Sequence, residues 1–269
     1  MSSSPAHVAT KMPALRKVNH EESHWIYPVI APLVNFLMKA LVRRDWELAG
    51  TLPHTGPAIV VPNHLSSFDP AVIGNFMCYS GRWPYFMYKS TLMKVPVFSW
   101  ILRKAQMVPV YRGTEHASDA LRDAVKHLEK GRTIVMYPEG TTTWDPDEWP
   151  MAAKTGAARL ALLTGAPVIP IGQLGANDVY GDNLVREHTK RAGFHLLPPR
   201  KWTTVRTGAP VDLSAFGRDA DNREMVRGAS AAIMDAITAI VEDLRCEKAP
   251  ELRYNPKAEA RVPRSEAVW

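Results

Sequence analysis

Cys78 and Cys246 are the only cysteines in 269 residues, and two thiols so far apart build neither a disulfide framework nor a cysteine zinc site. A reducing compartment is expected, with no resident metal. No serine sits in a G-x-S-x-G turn, and neither cysteine has a histidine close in sequence. A serine or cysteine nucleophile therefore has no recognisable setting. The start lacks a basic segment followed by an apolar core and a small-residue cleavage site, so no secretory signal is expected. Internal repeats are absent as well. Long apolar runs are scarce; the longest, WIYPVIAPLVNFLMKALVRR over residues 25–44, has borderline length for a bilayer and carries two prolines and a lysine. Its interruptions Pro28, Pro32, Asn35 and Lys39 step by four, three and four, which places them on one helical face opposite an apolar one. Two readings stay open: an interfacial membrane helix ending in Arg43 and Arg44, or a helix that covers the protein's own core.

What is present is a globular composition, with 46% hydrophobic residues and enough length for one substantial core. A net charge of +6 suits an anionic partner: nucleic acid, a phosphorylated metabolite, a nucleotide-linked carrier or an acidic membrane. The basic residues do not interleave with aromatics as in a single-strand binder, so nucleic acid is not expected. From residue 46 onward, short β-branched runs at 58–63, 85–89, 107–112, 133–140, 166–172 and 202–208 alternate with helical patterns. These helical patterns fall at 69–80, 91–105, 117–131, 152–165 and 222–248. Such alternation predicts an α/β sheet covered by helices. The organisation expected is a mobile segment over 1–20, the amphipathic helix within 21–45, one α/β domain over 46–248, and an extended tail over 249–269.

Two strand ends carry chemistry. VVPNHLSSFDP, residues 60–70, ends a buried run at Asn63 and His64, and Asp69 follows in the first turn of a helix. Strand-to-helix junctions are where α/β folds put sites. A carboxylate that bends back to an imidazole fixes its tautomer and stabilises the imidazolium, which makes the pair a candidate general base for a hydroxyl. The plain alternative is a helix cap with an incidental histidine. MYPEGTTT, residues 136–143, ends another strand in a turn where Glu139, Gly140 and Thr141 offer donors to an anion. Arg112 closes a third strand, and its fork suits bidentate phosphate binding. Lys89 and Lys154 add charge nearby.

Asn63-His64 with Asp69, Val108 to Arg112, Tyr137 to Thr141 and Ala166 to Pro170 occur in the order of four sequence blocks. In this the chain resembles the glycerophospholipid acyltransferases, in particular the lysophosphatidic acid acyltransferase (PlsC-like) branch. The resemblance implies a single mixed sheet covered by helices, the glycerolipid acyltransferase fold. It implies that His64 is the base and Asp69 its orienting partner. Arg112, Glu139, Gly140 and Thr141 would bind the acceptor's phosphate and glycerol, with Pro167 to Pro170 lining the site by packing. Many members carry an arginine where this chain has Thr142, which shifts the phosphate's charge onto Arg112 or Lys154. The implied reaction moves a fatty acyl group from acyl-CoA or acyl carrier protein to the sn-2 hydroxyl of 1-acylglycerol 3-phosphate, giving phosphatidic acid without a cofactor. Backbone N–H groups just after Asn63 would hold the oxyanion. Glycerol 3-phosphate or another lysophospholipid is the alternative acceptor, and a thioester or lipid hydrolase is the rival chemistry. The implied partners are a lysophospholipid, the acyl donor and a membrane surface, at the cytoplasmic face as a peripheral protein. None of these signals sets an oligomeric state.

Overall fold

The structure, a computed structural model, describes every residue except 1–6, 16–17, 20, 23, 49–51, 112–116, 182–192 and 196–197. Eleven strands lie among the described residues: β1 (Val42–Trp46), β2 (Ala58–Pro62), β3 (Pro84–Lys89), β4 (Val108–Val110), β5 (Thr133–Val135), β6 (Val168–Leu174), β7 (Tyr180–Gly181), β8 (Gly193–Phe194), β9 (Lys201–Thr207), β10 (Leu252–Asn255) and β11 (Ala260–Pro263). Seven of them form one sheet in the order β1-β9-β6-β2-β5-β3-β4. Neighbours from β6 to β4 run parallel, whereas β9 is antiparallel to β6 and carries β1 parallel to itself. The sheet is therefore mixed, as the alternating pattern and the resemblance imply.

All five residues of β2 are buried, as befits a central strand covered on both faces. Alternation along it divides the core. Ile59 and Val61 join one apolar cluster with Leu128, Leu160, Ile233 and Ile237, while Ala58 and Val60 join another with Val72, Phe76 and Met77. The α-helices among the described residues are α1 (Ile26–Leu41), α2 (Asp69–Tyr79), α3 (Pro96–Lys104), α4 (Ala117–Glu129), α5 (Gly156–Thr164) and α6 (Arg223–Arg245). α2 covers one face; α4, α5 and α6 cover the other. α6 starts where the side chain of Asn222 accepts from the amides of Glu224 and Met225, an N-cap that satisfies two otherwise unpaired donors. Register then brings the chemistry together: Val60 lies opposite Val135, so β2 and β5 release their chains side by side at one edge of the sheet.

Three expectations need correction. α1 has two apolar faces, since Ile26, Tyr27, Ala31 and Met38 are buried against the body while Val29, Leu33, Phe36 and Leu37 are exposed. The reading of residues 25–44 as a helix that covers the protein's own core describes its buried side. The start of the chain is not loose over its described part: the Thr10 amide donates to the Arg44 carbonyl, and its hydroxyl is bonded to the backbone of Trp46. Finally, the tail is not an extended arm. β10 and β11 pair as a hairpin anchored by the buried Arg253, which donates to Asp235 (2.8 Å) and Thr238 on α6. Composition hides this, because a few buried residues fix the segment while its proline and charge content stay solvent-like.

Candidate active site

The edge of the sheet is stitched before any catalytic group is placed. Asn63, one residue past β2, exchanges hydrogen bonds with Gln173 of β6: its amide nitrogen donates to the Gln173 carbonyl, the Gln173 amide donates to its side-chain oxygen, and the Gln173 side chain donates to its carbonyl. This reciprocal clamp fixes where the next residue points. His64 then sits in the turn with its Nδ1 2.8 Å from Asp69 Oδ2. The same oxygen accepts from the amides of Leu65 and Ser66, so the carboxylate closes the turn and orients the imidazole together. Burial raises the pKa of Asp69, opposed by the hydrogen bonds from His64, Ser66 and Leu65. With Nδ1 engaged, Nε2 is the nitrogen left to accept a proton.

The turn after β5 is locked to the first one. Glu139 is wholly buried, and its two oxygens accept from the amides of His64 (2.8 Å) and Met151 (3.0 Å). The His64 carbonyl in turn accepts from the Thr143 amide at 2.7 Å. Glu139, expected to touch the acceptor, is thereby corrected to an internal brace, because both of its oxygens face backbone donors in the interior. Burial pushes its carboxyl up to about 8 against those two hydrogen bonds. Tyr137 lies beneath the imidazole, its ring stacked on His64 with centroids 4.0 Å apart. Its hydroxyl is buried and held well above the ordinary phenol range by burial and by Asp69. A short apolar run ending in Tyr-Pro-Glu gives no sign that the tyrosine supports the histidine; this residue was not legible.

Gly140 and Lys154 meet as a pair. Gly140 has φ +74°, and a Cβ there would stand 2.9 Å from Lys154 Cδ, so the lysine stem lies directly across the turn. The Lys154 amide donates to the Pro138 carbonyl, and its ammonium lies 4.2 Å from the centre of the Trp269 ring. That tryptophan is brought by the tail, whose residues 267–269 run beside 152–153. Residues 152–153, expected within the first turn of α5, are instead this segment beside the tail, and the helix starts after Thr155. Thr141 flanks the glycine half-exposed, and Thr142 is buried. Arg112 lies outside the described residues. The Ala166 to Pro170 block runs into β6 beside β2, and further along that strand Gln173 reaches the site.

A further expectation is narrowed by geometry. The amides of Asn63, His64, Leu65, Ser66, Phe68 and Asp69 all donate inside the protein, to Ile171, Glu139, Asp69 and Ser66, so none of these six serves an oxyanion. What remains is a buried carboxylate, an oriented imidazole with one ring nitrogen to spare, and a cation beside a glycine turn. That set can deprotonate a hydroxyl next to an anionic group.

A family model described as Acyltransferase matches residues 45–173, the stretch holding both turns and the clamp. The 1-acyl-sn-glycerol-3-phosphate acyltransferase of Borreliella burgdorferi is 25% identical over 174 residues, which cover 60% of this chain and 67% of that protein. A chloroplastic 1-acyl-sn-glycerol-3-phosphate acyltransferase of Brassica napus is 29% identical over 124 residues, 46% of this chain but only 34% of that longer protein. Among solved structures, the 1-acyl-sn-glycerophosphate (LPA) acyltransferase PlsC from Thermotoga maritima shares the fold with a TM-score of 0.60 and 24% identity, covering 83% of this chain and 81% of that one. Where the histidine turn and its brace stand in the sheet, the family model also matches, and residues 45–173 form an acyltransferase domain similar to the 1-acyl-sn-glycerol-3-phosphate acyltransferases.

Proposed function

We propose that this acyltransferase moves a fatty acyl group from a thioester, acyl-CoA or acyl carrier protein, to the sn-2 hydroxyl of 1-acylglycerol 3-phosphate, yielding phosphatidic acid. The observation that carries the reading is the 2.8 Å contact between His64 Nδ1 and the buried Asp69, which leaves Nε2 as the proton acceptor. Nε2 takes the hydroxyl proton as the oxygen attacks the thioester carbonyl, and a tetrahedral oxyanion forms. Collapse breaks the carbon–sulfur bond, and the departing thiolate receives the proton back from the imidazolium. General-base help of this type contributes roughly 10²–10⁴-fold. Lys154, laid over the Gly140 turn, meets the acceptor's phosphate; Arg112 is assigned to the same phosphate. No cofactor takes part.

The acceptor is a lipid, and an apolar surface lies on the body to meet it. Val29, Leu33, Phe36 and Leu37 of α1 are exposed, as are Val97, Phe98 and Trp100 of α3, and Trp25 meets Trp100 edge-on at 6.4 Å between ring centres. Contiguous exposed apolar area of this kind fits an interface with a bilayer. No helix among the described residues is long and apolar enough to cross a membrane. The protein thus docks peripherally, at the cytoplasmic face, with donor entering from the aqueous side.

The test crosses both donors with lysophosphatidic acid, glycerol 3-phosphate and uncharged lysolipids, with product position read by mass spectrometry. Transfer to the sn-2 position of lysophosphatidic acid is expected to exceed the rest. Thioester breakdown at the same rate with no acceptor present would instead make the protein a hydrolase.

A further inference from the structure

At the carboxyl end of α1, three strands away from the one that carries His64, a cleft of about 490 Å³ opens beside β1. Lys39, Arg43, Arg44 and Arg200 line it with His7 and Trp202, and no aspartate or glutamate is among the described residues that do. Four cations gathered without an acid repel one another, so their arrangement needs a cause.

Part of it is local. Arg200 donates to the Lys39 carbonyl in the last turn of α1, and Arg44 donates further back along the helix, to the Asn35 carbonyl and side chain. Capping does not account for the rest. Arg44 is 6% exposed, its Nε is buried without a hydrogen-bond partner, and its side-chain partners are a neutral asparagine and the rings of Trp46 and Tyr79. A buried guanidinium is costly unless an anion meets it. Arg43 lies 5.7 Å from the centre of the Trp202 ring, which is itself stacked on His7 at 4.8 Å. The neighbouring Asp45 is already engaged by Arg206 and His7. The cations are thus held in place, and the nearest acid is spent.

We propose that this cleft binds the phosphate of an anionic phospholipid headgroup, a second lipid site distinct from the acceptor site. The occupant is a bilayer lipid because the cleft continues the exposed face of α1: Phe36 and Leu37 stand within one turn of Lys39. A headgroup seated on Lys39 and Arg43 leaves its acyl chains alongside those apolar side chains. The inference rests on the bilayer docking proposed above, and it adds a preference: α1 selects acidic lipid and fixes the protein's rotation about the membrane normal.

Sedimentation of the full chain with phosphatidylcholine vesicles, and with vesicles that also contain phosphatidylglycerol, separates the two ideas. Lys39, Arg43 and Arg200 are exposed, so the triple variant K39Q/R43Q/R200Q keeps the fold. It is expected to lose roughly a hundredfold in affinity for the acidic vesicles, about a factor of five per cation, and to bind neutral vesicles as before. The control R122Q/K126Q/K130Q removes equal charge from exposed positions in and just after α4 and should lose far less. Equal loss in both variants would reduce the effect to net charge, and retained preference in the first would remove the site. Release by inorganic phosphate, but not by sodium chloride of equal ionic strength, would make the ligand a soluble phosphate and overturn the lipid assignment. Failure of the unaltered protein to bind neutral vesicles speaks against the apolar docking face instead.

Discussion

One oxygen of Asp69 accepts three hydrogen bonds, from an imidazole and two amides, so its chemical and structural duties cannot be removed separately. His64→Ala is therefore the cleaner substitution, and it is expected to lower kcat by roughly 10²–10⁴-fold with an unchanged circular dichroism spectrum. Asp69→Asn should be equally impaired in transfer and less stable as well, because a neutral amide oxygen accepts the three bonds more weakly and its NH2 group takes the buried Oδ1 position, which has no hydrogen-bond partner. Retained turnover in His64→Ala would end its assignment as the base. Glu139 supports a prediction about pH. Burial holds its carboxyl up at about 8, whereas the unfolded chain ionises it in the ordinary carboxylate range. Between that range and about 8 the folded state binds the extra proton, so this residue's contribution to stability falls as pH rises through the window and levels off above it. Thermal melts from about pH 5 to 9 should show the protein's advantage over Glu139→Gln shrinking on the alkaline side. A constant difference would mean that the carboxyl titrates normally.

The tail hairpin is the element that most changes the picture of the site. β10 and β11 are anchored on α6 through Arg253, and the residues beyond them carry Trp269 to Lys154. If the ring positions the ammonium for the acceptor's phosphate, Trp269→Ala should raise KM for a phosphorylated acceptor by roughly three- to thirtyfold at nearly constant kcat. Trp269→Phe should recover most of the loss, since it restores a ring face. An unchanged KM would leave the tail a purely structural strap. The catalytic stretch is far more legible in sequence than this hairpin. The five-residue spacing of His64 and Asp69, and the β-branched runs ahead of both turns, announce a strand, a turn and a helix from local pattern alone. Trp269 and Lys154 lie 115 positions apart and share no pattern. The two-faced character of α1 is hidden for another reason: periodicity marks a polar stripe, but it does not say which of the remaining apolar positions face a protein core.

At the scale of the whole molecule, five parallel strands place their carboxyl ends at one edge, and two reversed strands extend the sheet away from it. The alternating sequence pattern makes the α/β class plain, whereas strand order depends on crossovers that no local signal records. The proposed catalytic centre and the proposed acidic-lipid cleft therefore fall on separate parts of one sheet: the histidine turn after the central β2, the cleft beside the edge strand β1. The brace at Glu139 has a consequence for how such a molecule comes into being. The imidazole and its aspartate are five residues apart and can find each other early, while the bond from the His64 amide to Glu139 spans 75 positions and that from the Trp269 ring to Ala152 spans 117. Closing such loops has an entropic cost that only the completed sheet repays. A chain emerging during synthesis thus exposes His64 and Asp69 together well before Glu139 and Trp269 have been added to brace and flank them.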